Sequence, residues 1–177
     1  MNTLLETQLK RAKVAARLLK NMPTCTKNQA LEKIADALIA RSDEILEANK
    51  KDMAHAKEVN MTKAMQDRLL FTHERIVGVS DGVKKVATLP DPIGEVMESW
   101  TRLNGLKISK VRVPIGVFGI IYEARPHVTV DIASLCLKSG NACVLRGGKE
   151  AIHTNKQLVE IMKDATKDIL PEGAIEL

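Results

Sequence analysis

The chain has 177 residues, of which 45% are apolar and 28% charged, a composition typical of a soluble globular protein with a core. The net charge is +5, but the basic residues are scattered among 22 acids, and the aromatic residues are one Trp, one Tyr and two Phe. This pattern argues against a surface that binds nucleic acid. It leaves open a mild preference for small anions such as phosphates. Three cysteines without a CxxC pair exclude a disulfide framework or a zinc site and favour the cytoplasm. From the sequence we expect neither a membrane span nor a signal peptide.

The first half of the chain predicts four helices, which open near residues 3, 26, 42 and 72. Pro23 ends the first of them. The second start depends on a capping-box pattern, Thr26 with Gln29, and the third on Ser42 followed by two acids. The fourth starts at Thr72 and ends at the turn "LPDP".

The pattern then changes from helical spacing to alternation. "GEVMESWTRLNGLKISKVRVP" has a period near two and carries Asn104–Gly105, which predicts a β-hairpin because both residues accept positive φ. "GVFGIIY" and "ACVLR" are typical of parallel strands buried on both faces. "HVTVDIASLCLKSGN" predicts a helix between them with Ile132, Leu135 and Cys136 facing the core. Another helix follows from Glu150, and the final "AIEL" predicts a third strand.

The order of helices, hairpin and then β-α-β-α-β predicts an α/β fold with a parallel sheet and right-handed crossovers. We divide the chain into a helical lead-in (1–92), a β-hairpin (93–113) and the first half of a Rossmann-like α/β domain (114–177). Because only two strands and the start of a third are present, we expect this sheet to be incomplete.

Charged residues follow both predicted parallel strands, where ligands of open sheets bind. Glu123, Arg125 and His127 follow the first strand, and Arg146 precedes the pair Gly147–Gly148. Both segments lead into helices whose first N–H groups we expect to be available to an anion. A phosphate-bearing ligand is therefore predicted at this edge.

Structural roles are the alternatives at the same positions. Glu123 and Arg125 could form a surface ion pair. His127 could be a helix-start residue, and the glycine pair could simply end a strand. Arg146 could pair with Glu150 or another acid. Cys136 and Cys143 lie among apolar residues and are expected in the core, while Cys25 has no nearby His to activate it.

Residues 111–151, "VRVPIGVFGIIYEARPHVTVDIASLCLKSGNACVLRGGKEA", resemble the γ-glutamyl phosphate reductases of the aldehyde dehydrogenase superfamily. The similarity extends upstream through "MTKAMQDRLLFTHERI" and "LPDPIGEV". The resemblance implies an aldehyde-dehydrogenase-like fold and NADPH-dependent reduction of L-glutamyl 5-phosphate to L-glutamate 5-semialdehyde and phosphate, in proline biosynthesis. It also implies that the region 114–177 belongs to the NADP-binding domain.

In that family a cysteine thiolate attacks the acyl phosphate and leaves a thioester for hydride reduction. The cysteine belongs to a later domain, and no cysteine of this chain matches it. We therefore expect the chain to be the N-terminal portion of the enzyme, without a catalytic residue of its own, without a metal and inactive alone.

The resemblance also assigns site residues. Those on the adenosine ribose and 2′-phosphate side of NADP are Arg146, Gly147, Gly148 and Lys149. Those on the nicotinamide side are Tyr122, Glu123 and Ala124. Those expected to bind substrate are Arg125 and His127. His127 departs from the family's usual Asn, and Lys149 from a more common small residue.

The implied partners are the small-molecule substrate and glutamate 5-kinase, with homo-oligomerisation of the full-length enzyme and no nucleic acid or membrane. Two other interpretations stay open. A non-catalytic nucleotide-binding or interaction module is favoured by the missing nucleophile, although unfinished sheet edges argue against it. The reductase part of a bifunctional pyrroline-5-carboxylate synthase is disfavoured, because Met1 directly precedes the first helix with no kinase segment ahead.

Overall fold

Helices form the first half of the chain, as the apolar periodicity predicts. The computed structural model describes residues 3–177. In it the hairpin is preceded by α1 (Thr3–Leu19), α2 (Thr24–Ala40), α3 (Ser42–Glu58), α4 (Lys63–Leu69) and α5 (His73–Thr88). Across these residues no helix combines the length and the apolarity that crossing a bilayer would require.

Two details of the helical half differ from the prediction. The second helix begins at Thr24, after Pro23 in the N-cap position, so the capping box of Thr26 with Gln29 is wrong. A proline there already supplies a fixed φ suited to a helix start. The seven-residue α4 was not predicted; it starts at Thr62, whose hydroxyl accepts from the N–H of Met65 at 3.4 Å.

The second half contains two sheets. Strands β1 (Val96–Thr101) and β2 (Lys107–Val111) pair antiparallel. Strands β3 (Val117–Ile121), β4 (Ala142–Arg146) and β5 (Ile175–Glu176) form a parallel sheet in that order. Helix α6 (His127–Lys138) joins β3 to β4; a 3₁₀ turn (Lys149–Ala151) and α7 (Ile152–Thr166) join β4 to β5. The predicted α/β class, hairpin and β-α-β-α-β order are confirmed.

The hairpin turn uses only part of the predicted chemistry. Gly105 has a φ of 85°, whereas Asn104 stays at negative φ and instead accepts from the N–H of Leu106 through its side-chain oxygen at 3.1 Å. The strands are joined by a loop longer than two residues, closed by the N–H of Arg102 donating to the Leu106 carbonyl at 2.9 Å. The turn therefore needs one left-handed residue rather than two.

The main core lies between the helices and the parallel sheet. Helix α1 packs across β3, β4 and β5, while α2 packs against α5, α6 and α7. Both Cys136 and Cys143 belong to this core, as predicted. Two expected core positions do not: Leu135 is 53% exposed and Ile121 is 77% exposed. Because β3 is an edge strand with β4 as its neighbour in the sheet, the prediction of burial on both faces is wrong for it.

A buried ion pair joins the start of α2 to the segment after α5. Lys27 is 2% exposed and pairs with Asp91, which also accepts from the Thr24 hydroxyl at 2.7 Å and from the N–H of Ile93 at 3.0 Å. Burial tends to raise the pKa of Asp91, but the bonds from Lys27, Thr24 and Ile93 outweigh it and hold that pKa below its usual range. The ionised form of Asp91 therefore stabilises the fold.

Candidate functional site

The two predicted strand ends lie side by side. Ile121 pairs with Arg146 in the parallel register, and the N–H of Tyr122 donates to the Arg146 carbonyl at 3.1 Å. The segments 122–125 and 146–148 therefore leave the same edge of the sheet as neighbours. This is the edge at which parallel sheets bind their ligands.

The glycine pair after β4 is closely packed against neighbouring residues. A Cβ on Gly147 would overlap the side-chain amide of Asn155 and lie 3.0 Å from the Tyr122 ring. A Cβ on Gly148 would overlap the Glu150 carboxylate and lie 3.3 Å from the N atom of Ala124. At Gly147 the buried Asn155 amide fills the space that a side chain would need, whereas at Gly148 the Glu150 side chain could move aside.

A buried hydrogen-bond chain fixes the Tyr122 ring. The Tyr122 hydroxyl lies 2.6 Å from Thr129 Oγ1, and Thr129 donates to Asn155 Oδ1 at 2.8 Å. Since the single hydroxyl proton of Thr129 goes to Asn155, the Tyr122 hydroxyl donates to Thr129. Burial raises the pKa of Tyr122. Tyr122 is thus held as a neutral phenol, by two residues that the sequence reasoning missed.

Two N–H groups in the first turn of each helix at this edge already have acceptors. Asp52, 2% exposed, accepts from the N–H of His153 at 3.1 Å, from the N–H of Thr154 at 2.8 Å and from the Thr154 hydroxyl at 2.6 Å. At the start of α6 the N–H groups of Val128 and Thr129 donate to backbone carbonyls. The expectation that the first N–H groups of these helices are available to an anion is therefore wrong for Val128, Thr129, His153 and Thr154, because local turns and a carboxylate from α3 already satisfy them.

Arg146 lies on a groove of about 510 Å³ beside α7. Leu145, Ile152 and Val159 give that groove an apolar wall, and Gly147 and Lys156 also line it. Arg146 is exposed, and within residues 3–177 its guanidinium pairs with no carboxylate, so the alternative ion pair with Glu150 is absent. Glu160, Asp164 and Glu176 also line the groove, so it is the apolar wall beside the unpaired guanidinium that suits a phosphorylated nucleoside.

The other predicted residues lie on two adjoining clefts. The first, about 380 Å³, is lined by Met65, Arg68, Tyr122, Glu123, Ala124, Arg125, Gly148 and Glu150. The second, about 520 Å³, is lined by Asp67, Arg68, Leu70, Phe71, Arg75, Gly78, Val79, Arg125, His127 and Asp131. The structure thus brings Tyr122–Arg125 together with Gly148 and places His127 next to them. Lys149 is exposed and lies outside the residues that line these clefts and the Arg146 groove.

The predicted alternative of a Glu123–Arg125 side-chain ion pair is absent among residues 3–177. Instead, the backbone N–H of Arg125 donates to the Glu123 carbonyl at 2.8 Å, which turns the chain tightly after β3. Close to Arg125, packing raises the pKa of Asp131, and the charge of His127 opposes that shift. The clefts therefore combine free cations with a carboxyl group that is harder to ionise.

The thiols lie apart from these clefts. Cys136 and Cys143 are buried, and a hydrogen bond with Cys136 together with burial raises the pKa of Cys143. Cys25 is exposed in the first turn of α2. None of the three lines the clefts described above, and residues 3–177 contain no cluster of His, Cys, Asp or Glu that could hold a metal.

The sequence matches the aldehyde dehydrogenase family over residues 3–177. It is 55% identical over 164 residues to γ-glutamyl phosphate reductase of Geobacillus sp. (strain WCH70), which covers 92% of this chain and 40% of that protein. Identity to γ-glutamyl phosphate reductase of Geobacillus kaustophilus (strain HTA426) is 52% over 178 residues, which covers 100% of this chain and 43% of that protein. The crystal structure of the Thermotoga maritima γ-glutamyl phosphate reductase superimposes with a TM-score of 0.96 at 44% identity, over 99% of this chain and 42% of that one.

The chain belongs to the aldehyde dehydrogenase family. Its predicted resemblance to γ-glutamyl phosphate reductases is confirmed, and so is its aldehyde-dehydrogenase-like fold. It spans about 40% of the length of the relatives that it matches, so the three-stranded parallel sheet corresponds to part of a larger structure in those proteins.

Proposed function

We propose that this chain is the N-terminal portion of a γ-glutamyl phosphate reductase, which reduces L-glutamyl 5-phosphate to L-glutamate 5-semialdehyde and phosphate in proline biosynthesis. The observation that carries the proposal is the similarity to proteins of that name over the whole chain at 52% identity. The juxtaposition of the segments 122–125 and 146–148 at one edge of the sheet supports it, because the resemblance assigns them to the cofactor.

The chain's own residues fit a nicotinamide dinucleotide. Arg146 and Gly147, with the apolar wall of their groove, would hold the adenosine end, and the free guanidinium would favour the 2′-phosphate of NADPH. Tyr122, Glu123 and Ala124 would line the nicotinamide end, with the Tyr122 ring fixed by its buried hydrogen bond. The cofactor supplies the hydride.

The proposal includes the domain boundaries predicted from the sequence. These are a helical lead-in (1–92), a hairpin (93–113) and the first half of the NADP-binding domain (114–177). The thiolate nucleophile would come from a catalytic domain outside these residues, since the two core thiols are buried and Cys25 lies away from the clefts. We place the enzyme in the cytoplasm as a homo-oligomer, with glutamate 5-kinase as the supplier of its acyl-phosphate substrate.

The assay for this function runs the reaction backwards in the full-length protein that carries this chain. Glutamate semialdehyde, phosphate and NADP⁺ should give NADPH, measured by absorbance, and turnover should require phosphate. The 177-residue chain alone should give none. Turnover without phosphate would indicate a simple aldehyde dehydrogenase, and cofactor binding without turnover would favour the non-catalytic module.

Arg146 provides the test of cofactor choice. A charge-assisted hydrogen bond is worth roughly 1.5–3 kcal/mol, so Arg146→Ala should weaken NADPH binding about 10- to 150-fold and NADH binding far less. Dissociation constants from fluorescence titration of the full-length protein measure this without catalysis. The matched control is Lys57→Ala, an exposed cation outside the groove and both clefts, which should leave both constants unchanged, and Lys149→Ala tests the neighbouring cation.

An equal loss of NADPH and NADH in Arg146→Ala would mean that Arg146 acts structurally. A selective loss of NADPH in Lys149→Ala would move the 2′-phosphate to Lys149 instead. Either result contradicts the assignment of Arg146.

A further inference from the structure

Arg68 lies where the two adjoining clefts meet. Arg68 and Arg125 are the two residues that line both clefts, one from α4 and the other from the segment after β3. Both side chains are exposed. Although 57 residues of sequence separate them, the fold places two guanidiniums along the same opening, beside Tyr122 and Ala124.

The charges of these two arginines are uncompensated, in contrast to that of Arg75 in the same cleft. Arg75 donates to the Asp67 carboxylate at 2.8 Å and to the Leu70 carbonyl at 2.8 Å. Within residues 3–177, Arg68 and Arg125 have no carboxylate within salt-bridge distance. Two arginines without an ion-pair partner that line one opening favour a ligand with an oxyanion.

The backbone on both sides of Arg68 is held rigidly. Asn49, 2% exposed, donates from its amide to the Leu69 carbonyl at 2.9 Å and accepts from the N–H of Phe71 at 2.8 Å. The side chain of Leu69 is fully buried, and Arg75 ties down the preceding residue, Asp67. A short helix fixed at both neighbours of one exposed arginine presents that arginine with little loss of backbone entropy on binding.

The first cleft also presents negative charge. Glu123 and Glu150 line it, and within the described residues neither carboxylate lies within salt-bridge distance of a cation. The opening therefore offers guanidiniums and carboxylates together. Such a mixture suits a ligand with an ammonium group as well as anionic groups, as an amino-acid phosphate has.

We propose that Arg68, acting with Arg125, is a substrate-binding residue that clamps an oxyanion of the glutamyl substrate, and that it favours this substrate over uncharged aldehydes. The proposal rests on the proposed reductase function and adds to it a residue that the sequence reasoning did not identify. The oxyanion is either the phosphate or the α-carboxylate, and the two are separated by the kinetics below.

The kinetic test compares Arg68→Gln with wild type in the full-length protein, in the direction that consumes semialdehyde and inorganic phosphate. Losing one charge-assisted contact should raise one Michaelis constant about 10- to 100-fold. A rise confined to phosphate identifies the phosphate, and a rise confined to semialdehyde identifies the carboxylate. The matched control is Lys63→Gln, which removes a positive charge from the same helix outside both clefts and should change neither constant.

A second measurement does not depend on catalysis. Phenylglyoxal labels exposed arginines, and peptide mass spectrometry reports the extent at each site. Inorganic phosphate or L-glutamate should slow labelling of Arg68 relative to Arg102, an exposed reference in the hairpin loop. Protection without reductase turnover would overturn the proposed reaction but support the anion clamp.

Unchanged Michaelis constants in Arg68→Gln, or no protection of Arg68 by either anion, would overturn the clamp whatever the reaction. Arg68→Lys keeps the charge but loses the planar fork, so it should recover only part of the affinity. Full recovery of the affinity in Arg68→Lys would contradict a bidentate hydrogen bond and would indicate that only the positive charge contributes.

Discussion

Asp52 is expected to control both the stability of the fold and the order of the segment after β4. Its buried carboxylate caps the first turn of α7 from α3, about a hundred residues away, by accepting three hydrogen bonds of 2.6 to 3.1 Å. The substitution Asp52→Asn keeps the size of the side chain but turns one acceptor oxygen into an NH₂ donor. That donor faces either the N–H of His153 or the donors of Thr154, so at least one buried N–H group loses its acceptor.

The magnitude follows from these contacts. An unmet buried donor costs about 1–3 kcal/mol, and reducing the remaining bonds from charge-assisted to neutral costs roughly 0.5–1 kcal/mol each. We expect a loss of about 3 kcal/mol in the free energy of unfolding, which for a chain of this size lowers the melting temperature by about 6–12 °C. Urea denaturation followed by circular dichroism measures it, and hydrogen exchange should accelerate at the amides of His153 and Thr154.

The matched control is Asp164→Asn. Asp164 makes a comparable bond of 2.8 Å to Arg41, but its side chain is 59% exposed, so that change should cost no more than about 1 kcal/mol. The contrary result would be that Asp52→Asn lowers the free energy of unfolding no more than Asp164→Asn does, with the amides of His153 and Thr154 exchanging at wild-type rates. That result would mean that the Asp52 carboxylate does not stabilise α7. The account of why this helix start is closed to ligands would then fail.

Two further outcomes are expected for stability. Asp91→Asn leaves Lys27 buried without its carboxylate and should lower the free energy of unfolding by about 3–5 kcal/mol at pH 7. Because the pKa of Asp91 is lowered in the folded state, the stabilisation by its carboxylate is lost as the pH falls below about 4. The urea midpoints of variant and wild type should therefore converge at low pH, and a constant difference between them would contradict the ion pair. Gly173→Ala and Gly105→Ala share the cost of an alanine in the left-handed region, about 1–2 kcal/mol. An added Cβ at Gly173 would lie 2.6 Å from the backbone of Arg11, whereas nothing lies within 4 Å of one at Gly105. The melting temperature should therefore fall further for Gly173→Ala, and equal falls would mean that α1 moves aside without an energetic cost.

The elements that the sequence predicted are those whose causes are local. The hairpin follows from alternation around a glycine in the left-handed region, and α5 follows from Thr72, whose hydroxyl does accept from the N–H of Arg75. Helix α4 escaped prediction because its seven residues bury a single side chain, Leu69, and so show no apolar period. Ile121 was wrongly expected to be buried because a strand's composition does not reveal how many neighbours the strand has.

The meeting of the two strand ends was predicted correctly, whereas the ligand-binding roles of their residues stay predictions. That charged segments after β3 and β4 would meet at one sheet edge follows from topology alone, and they do meet through the bond from Tyr122 to the Arg146 carbonyl. Asp52 and Arg68 could not be found in the same way, because each reaches the site from a helix in the first half of the chain. Their roles depend on long-range packing that no local pattern encodes.

The closed helix starts change how an anion can be bound at this edge. A helix N-terminus binds phosphate through backbone N–H groups, which are insensitive to substitution. Here the N–H groups of His153 and Thr154 in α7 already donate to the Asp52 carboxylate, which leaves the unpaired side chains of Arg146, Arg68 and Arg125 as candidates to hold a phosphate. Because one arginine lies on the groove and two lie at the clefts, cofactor and substrate anions would be recognised by different residues. Substituting one guanidinium should then weaken one ligand and spare the other.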